Sequence, residues 1–223
     1  MDNFAQIQID RILKEAAADL MLGVITADVV VVKDNPSLWS ELEPYVRDIS
    51  FRYRLDQLTK LPEIERLRTA YAALGKEPSR YRGSQEALLR RIVQGKGLYR
   101  INSIVDINNF VSLKSLHSCG VYDTANITWP AVFRVGVQGE SYKGIGKEII
   151  NIEGLPVFAD SSGPFGSPTS DSERAMISLA TRSMMMIIID FTGGAHLIHD
   201  LEFAVSLLER CGRATNICTS RIS

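Results

Sequence analysis

The run Met184–Ile189, "MMMIII", most limits what this chain can fold into. It shows no polar alternation and spans only six residues, far from the ~20 apolar residues a membrane span requires. A short continuous apolar run of this kind fits a buried strand. No other stretch is as long, so a transmembrane segment is not expected. The rest of the composition agrees: 45% hydrophobic, 23% charged and mean hydropathy near zero describe an ordinary soluble globular protein. With 223 residues there is ample length for a sizeable core, and a single domain over residues 1–223 is expected. The start, "MDNFAQIQIDRILKE", lacks a basic stretch followed by an apolar core, so no secretory signal is read. Cys119, Cys211 and Cys218 have no CxxC spacing and fit free thiols in a reducing compartment. The expected location is the cytoplasm.

Helix and strand signals intermix along the chain. A helix is expected near Ile7–Leu20, followed by one or two β-rich runs between Leu20 and Val32 interrupted by Gly23. "NPSLWSELEPYVRDIS" reads as a helix with Ser37 as its cap. Pro62 opens a helix carrying the stripe Ile64, Leu67, Tyr71 and Leu74, which Gly75 closes. After the loop "KEPSRYRGS", Ser84 opens another helix that ends at Gly95. "WPAVFRVGVQGESYKGIG" suggests a strand and a turn. "LPVFADSSGPFGSPTSDSER" reads as a short strand and a long polar loop over 160–173, and loops of that length are often functional. "HDLEFAVSLLERCG" gives a terminal helix stopped by Gly212. The fold class is therefore mixed α/β (α+β).

The stretch "GKGLYRINSIVDINNFVSL" (95–113) sets a puzzle, because Asn102, Asp106, Asn108 and Asn109 interrupt an otherwise apolar helix. Such side chains prefer caps and turns. At 100° per residue, Asn102, Asp106 and Asn109 share one side, opposite Ile104, Ile107 and Val111. Asn108 falls among the apolar set and needs a buried partner or a cavity. "SIVD" (Ser103–Asp106) matches a capping box, which accounts for Asp106 alone. The others sit on a wet face or line something.

Net charge is −1, which argues against wholesale non-specific nucleic-acid binding, but the charge is uneven. Lys76–Arg100 holds seven cations against Glu77 and Glu86, a local +5 that leaves −6 for the remainder. A block like this attracts a phosphate backbone or forms an ordinary solvated helix face.

"LYRINSIVDINNFVSL" followed by Tyr122–Asp123 resembles the editing and tRNA-binding B3/B4 domain of the phenylalanyl-tRNA synthetase β subunit. That domain carries a VVD-x-TN-x-V segment and then Ala-Phe-Asp. The sequence is closer still to free-standing B3/B4 proteins, with which it shares "PSRYRGSQEALLRRI", "GKGLYRIN", Gly139–Glu140 and "GPFGSPTSDSER". The resemblance spans roughly residues 20–212. It implies a mixed α/β domain with a cleft. The synthetase cleft hydrolyses tyrosine esterified to the phenylalanine tRNA. Discrimination by the tyrosine hydroxyl, a positioned water and oxyanion donors are what that task needs. One departure is visible: where the synthetase has a pocket His, this chain has Gly120. His117, nearby, could substitute or be an ordinary surface histidine.

With that resemblance, a tRNA-binding, synthetase-like domain is expected, acting as a trans-acting deacylase of misacylated tRNA. A non-catalytic RNA-binding module and an amino-acid or small-metabolite binder or enzyme are the rival readings. The chain is not expected to aminoacylate on its own. Asp171 and Glu140 are the candidate catalytic acids that orient water. Arg80, Arg82 and Arg174 would engage the tRNA 3′ end, with Tyr81 stacking a base between two guanidiniums. Asn102, Asp106 and Asn109 would shape the aminoacyl pocket, Ser172 would face it, and Asp123 would brace it. "SPTSDSERA" reads equally as a helix start capped by Thr169 or Ser170. His196 and His199 with Asp200 offer too few ligands for a metal, and "YKGIGKE" lacks a dinucleotide-loop context. No metal or cofactor is expected, and the six methionines read as core filler.

Overall fold

A computed structural model describes residues 6–223. The Met184–Ile189 run lies in strand β9 (Ser183–Asp190), and its lack of alternation is explained by what flanks it. β9 is one of the two inner strands of an antiparallel sheet ordered β10-β2-β9-β3, formed with β2 (Met21–Asp28), β3 (Ser118–Asp123) and β10 (Thr215–Ile222). Met184, Met186 and Ile188 face one core, together with Ile25, Cys119 and Val121. Met185, Ile187 and Ile189 face a second, together with Leu22, Val24 and Tyr122. A strand covered on both faces needs apolar side chains at every position.

The first core is closed mainly by α2 (Pro36–Arg52), α4 (Ser84–Val93), α5 (Ser103–Ser115) and α6 (Leu197–Cys211). The second core lies against a sheet ordered β1-β4-β7-β8, made of β1 (Ile7–Ile9), β4 (Ala131–Val135), β7 (Pro156–Asp160) and β8 (Gly163–Gly166). β1 runs parallel to β4, whereas the other pairings are antiparallel. The Phe133 and Phe158 rings stack 4.1 Å apart there, and Phe165 meets Tyr122 edge-on at 5.0 Å. Helix α3 (Pro62–Ala73) adds Leu67, Ala70 and Tyr71 to this core. A hairpin of β5 (Ser141–Lys143) and β6 (Ile149–Asn151) completes the mixed α/β fold.

Several local expectations change. The first helix is only α1 (Arg11–Ala16), since Ile7–Ile9 pairs with β4 and Asp10 caps the helix through Ile12 N. Leu20–Val32 supplies one strand: Gly23 does not break it but lets Leu197 of α6 approach, where a Cβ would lie 2.8 Å from Leu197 Cδ1. α2 is capped by Asn35, not Ser37, with Pro36 in the first turn. α3 begins at Pro62 and the chain turns at Gly75 with φ +75°, as the sequence suggests. The 160–173 segment is not all loop, because Gly163–Gly166 pairs with β7. No helix starts at Thr169 or Ser170; Ser172 caps a 3-10 turn, Glu173–Ala175. The chain does not end in α6 either, for β10 follows and pairs with β2. Among the described residues, no helix is long and apolar enough to cross a membrane.

Candidate functional site

Asp171 stands where three tyrosine hydroxyls converge on one loop. Tyr122, on β3, donates to Asp171 Oδ1 at 2.9 Å, and Ser167 N donates to the same oxygen at 3.3 Å. Tyr142, on β5, donates to Ser170 O and lies 3.1 Å from Ser167 Oγ. Tyr71, from α3, shares a 2.7 Å hydrogen bond with Thr169 Oγ1. Ser167 knots the loop: its hydroxyl donates to Ser170 O and accepts from Thr169 N and Ser170 N. Proline and glycine set the chain's course here, and small hydroxyls satisfy the freed backbone groups.

Burial pushes the Asp171 carboxyl up to about 7, against the Tyr122 and Ser167 hydrogen bonds and the Lys147 charge, which pull it down. Lys147 Nζ is anchored on Ser170 Oγ at 3.2 Å. A carboxyl balanced near neutrality can take a proton and return it, which suits general acid–base work.

The same loop is tied to the basic block. Ser84 N, at the head of α4, donates to Pro168 O at 2.7 Å, and Ser118 Oγ donates to that carbonyl at 3.0 Å. Arg80, Tyr81 and Arg82 immediately precede this junction, with both arginines exposed and Lys76 Nζ 5.5 Å from the Tyr81 ring centroid. The structure thus brings Asp171 and the Arg80–Arg82 segment onto adjoining loops.

Other sequence-derived candidates are committed elsewhere. Arg134 clamps Glu140 with bonds of 2.8 and 2.6 Å, and Val137 N adds a third; the Arg134 bonds hold its carboxyl below the usual range. Arg174 does not project free from the loop. It grips Asp160 with two 3.0 Å bonds and also donates to Asn126 O and Gly163 O. Ser172 is buried and accepts from Arg174 N. Asp123 accepts from Thr181 Oγ1 and from Ala125 N.

The puzzle of α5 resolves into structural roles for most of its polar residues. Asn102 is the cap, accepting from Ile104 N and Val105 N. Asp106 is buried, accepting from Trp39 Nε1 at 2.9 Å and Ile101 N at 3.0 Å, so the cap sits one residue before the Ser103 expected. Asn108 donates to Cys119 O at 3.3 Å, while its buried Oδ1 has no partner among the described residues. Asn109 is the half-exposed member. α5 is buried nearly all round, so the two-faced pattern does not mark a wet side.

The departure at Gly120 has a steric cause. A Cβ there would lie 2.2 Å from Tyr122 Oη, and a Cβ at Gly166 would also meet that oxygen at 2.2 Å. The tyrosine ring fills the space a side chain at 120 would need. His117 is not a surface residue and does not face this site: it is buried, with Nε2 3.8 Å from Asp190 Oδ1 and 3.9 Å from Asp200 Oδ2. Tyr71, Tyr142, Ser167 and Lys147 escaped sequence reasoning. Tyr71 fits an ordinary helical core stripe, and no local spacing links the four.

A protein-family model described as the B3/4 domain matches residues 66–196. Among solved structures, the chain is similar to an N-terminal fragment of the phenylalanyl-tRNA synthetase beta-subunit from Pyrococcus horikoshii, with a TM-score of 0.51 and 13% identity. That superposition covers 98% of this chain and 54% of the fragment, so the chain spans about half the fragment's length and shares its fold. No curated protein sequence matches.

Proposed function

The chain belongs to the B3/4 domain family, and from that premise we propose that it binds tRNA and hydrolyses an amino acid wrongly esterified to it, in trans. Its fold is that of a synthetase-related domain. The observation that supports catalysis is Asp171: a carboxyl near neutrality, held by Tyr122 and Ser167, on a loop bonded to the head of the basic segment. The exposed Arg80 and Arg82 neutralise phosphates at the tRNA 3′ end, and Tyr81 offers its ring to a base.

In this reading the Asp171 carboxylate takes a proton from a water as its oxygen adds to the ester carbonyl carbon. The carbon–oxygen bond to the ribose then breaks, and the proton held by Asp171 passes to the departing ribose oxygen. The products are free amino acid and uncharged tRNA. Glu140 and Arg174 support the site's frame through their ion pairs rather than touching the ester.

The test is release of labelled amino acid from a panel of misacylated tRNAs, including tyrosine on the phenylalanine tRNA, by the wild-type chain and by Asp171→Asn. Release of one amino acid that the variant loses supports the proposal. Release unaffected by the variant removes Asp171 from it. A second reading, RNA binding without hydrolysis, is favoured by the Tyr122 ring filling the space beside Gly120. It predicts salt-sensitive tRNA binding and no release from any substrate.

A further inference from the structure

The outer face of α4 carries a groove of about 320 Å³ lined by Arg82, Ala87, Arg90, Arg91, Gln94 and Lys96. Among the described residues four cations and no carboxylate line it. Residues 87, 90, 91 and 94 recur at helical spacing and so share one face. A helix of ten residues is about 15 Å long.

The guanidiniums are held in place from beneath. Glu86 is 1% exposed and pairs with Arg68 Nη1 at 3.1 Å and Arg90 Nε at 2.7 Å, with Arg82 Nε 3.9 Å away. Among the described residues Arg90 is held through Nε, which leaves its two terminal nitrogens to meet a ligand. Arg91 sits over the Tyr99 ring, its guanidinium carbon 3.7 Å from the centroid, and donates to Lys96 O at 3.1 Å. Tyr99 is 64% exposed. Preorganised cations beside an exposed aromatic ring are what a single-stranded nucleic acid requires: charges for phosphates and a flat surface for a base.

We propose that this groove is a track for an RNA phosphodiester backbone, running along α4 from Lys96 and Tyr99 to Arg82 and delivering the strand's end to the Asp171 loop. The inference rests on the reading that RNA is the ligand. It adds residues that take no part in the hydrolytic step. The direction follows from the Ser84 N to Pro168 O bond, which joins the head of α4 to that loop.

The experiment is binding of a short unacylated single-stranded RNA across a salt series, with inorganic polyphosphate as a second probe. Arg91→Gln/Lys96→Gln spares the Glu86 cluster. It is expected to weaken RNA binding about tenfold and to flatten the salt slope by about 1.4, at about 0.7 per lost phosphate contact. Tyr99→Ala should weaken RNA about tenfold while leaving polyphosphate unchanged. The control Arg11→Gln/Arg221→Gln removes the same charge from α1 and β10 and should leave the slope as it was. Wild-type binding with a slope that Arg91→Gln/Lys96→Gln leaves unaltered overturns the track while the Asp171 reading stands. Equal losses for Tyr99→Ala on both probes overturn the RNA assignment. No RNA binding by the wild-type chain overturns both the track and the tRNA reading.

Discussion

Tyr122 Oη donates to Asp171 Oδ1 across 2.9 Å, joining the sheet strand β3 to a loop 49 residues further along the chain. The same tyrosine is wedged between Gly120 and Gly166, so its ring position, its hydrogen bond and two glycines form one unit.

Gly120→Ala should therefore disturb Asp171 without touching it. The added methyl must push Tyr122 away or strain the strand, at about 1–3 kcal/mol. Thermal melting should show the loss, and pairing Gly120→Ala with Tyr122→Phe should cost less than the two changes summed. Strict additivity would separate Gly120 from the tyrosine.

Asp171 gives the protein a signed pH dependence. Its folded value of about 7 lies above the ordinary 3.8. Below 3.8 both states carry the proton. Between the two values the unfolded chain ionises while the folded one keeps its proton, so this group's contribution falls as pH rises and levels off above about 7. Unfolding by denaturant across that window should show a negative slope that Asp171→Asn flattens. An unchanged slope would remove the raised carboxyl.

Glu86 should be a stability residue. Glu86→Gln removes the charge that gathers Arg68, Arg82 and Arg90. Those arginines are partly exposed and regain water, so the expected cost is about 2 kcal/mol rather than that of a fully buried pair. The denaturation midpoint measures it. A neutral outcome would show that the cluster does not order α4.

In α5, Asn102→Ala should cost about 1 kcal/mol for the lost cap. Asp106→Ala should cost about 2 kcal/mol, since Trp39 Nε1 would lose its acceptor. Both should melt earlier while keeping wild-type RNA affinity per folded molecule. A selective loss of affinity with stability intact would instead place these residues in a ligand pocket.

Arg174→Lys should behave as a loss, because an ammonium cannot reproduce two parallel bonds to Asp160 together with two carbonyl contacts. Burial alone would raise the Asp160 carboxyl, yet Arg174 and the Thr128 and Ser162 amides bring it below the ordinary value. The folded state therefore gains from this group above the unfolded value and loses it as pH falls through the folded one. Asp160→Asn should shallow the acid limb of a stability profile.

The uniform apolarity of Met184–Ile189 announced a buried strand, Pro62 and Gly75 bounded α3, and the ordered motifs of 78–92, 95–113 and 163–174 carried the family. These signals are local: a strand covered on both faces, a proline in a first turn and a left-handed glycine each leave a mark within a few residues. β10 was not legible, because an exposed edge strand such as "TNICTSRI" has neither alternation nor an apolar run. Nor did the sequence decide among the carboxylates. Glu140, Asp171, Asp106 and Asp160 look alike in one dimension, but Arg134 claims the first, Trp39 the third and Arg174 the fourth. Asp171 is set apart by Tyr122 and by burial beside residues distant in sequence. The chain by itself marked several of its elements and its family. Only the tertiary structure decided which acid lies near neutrality, because a pKa is set by the groups packed around a carboxyl and not by its neighbours in sequence.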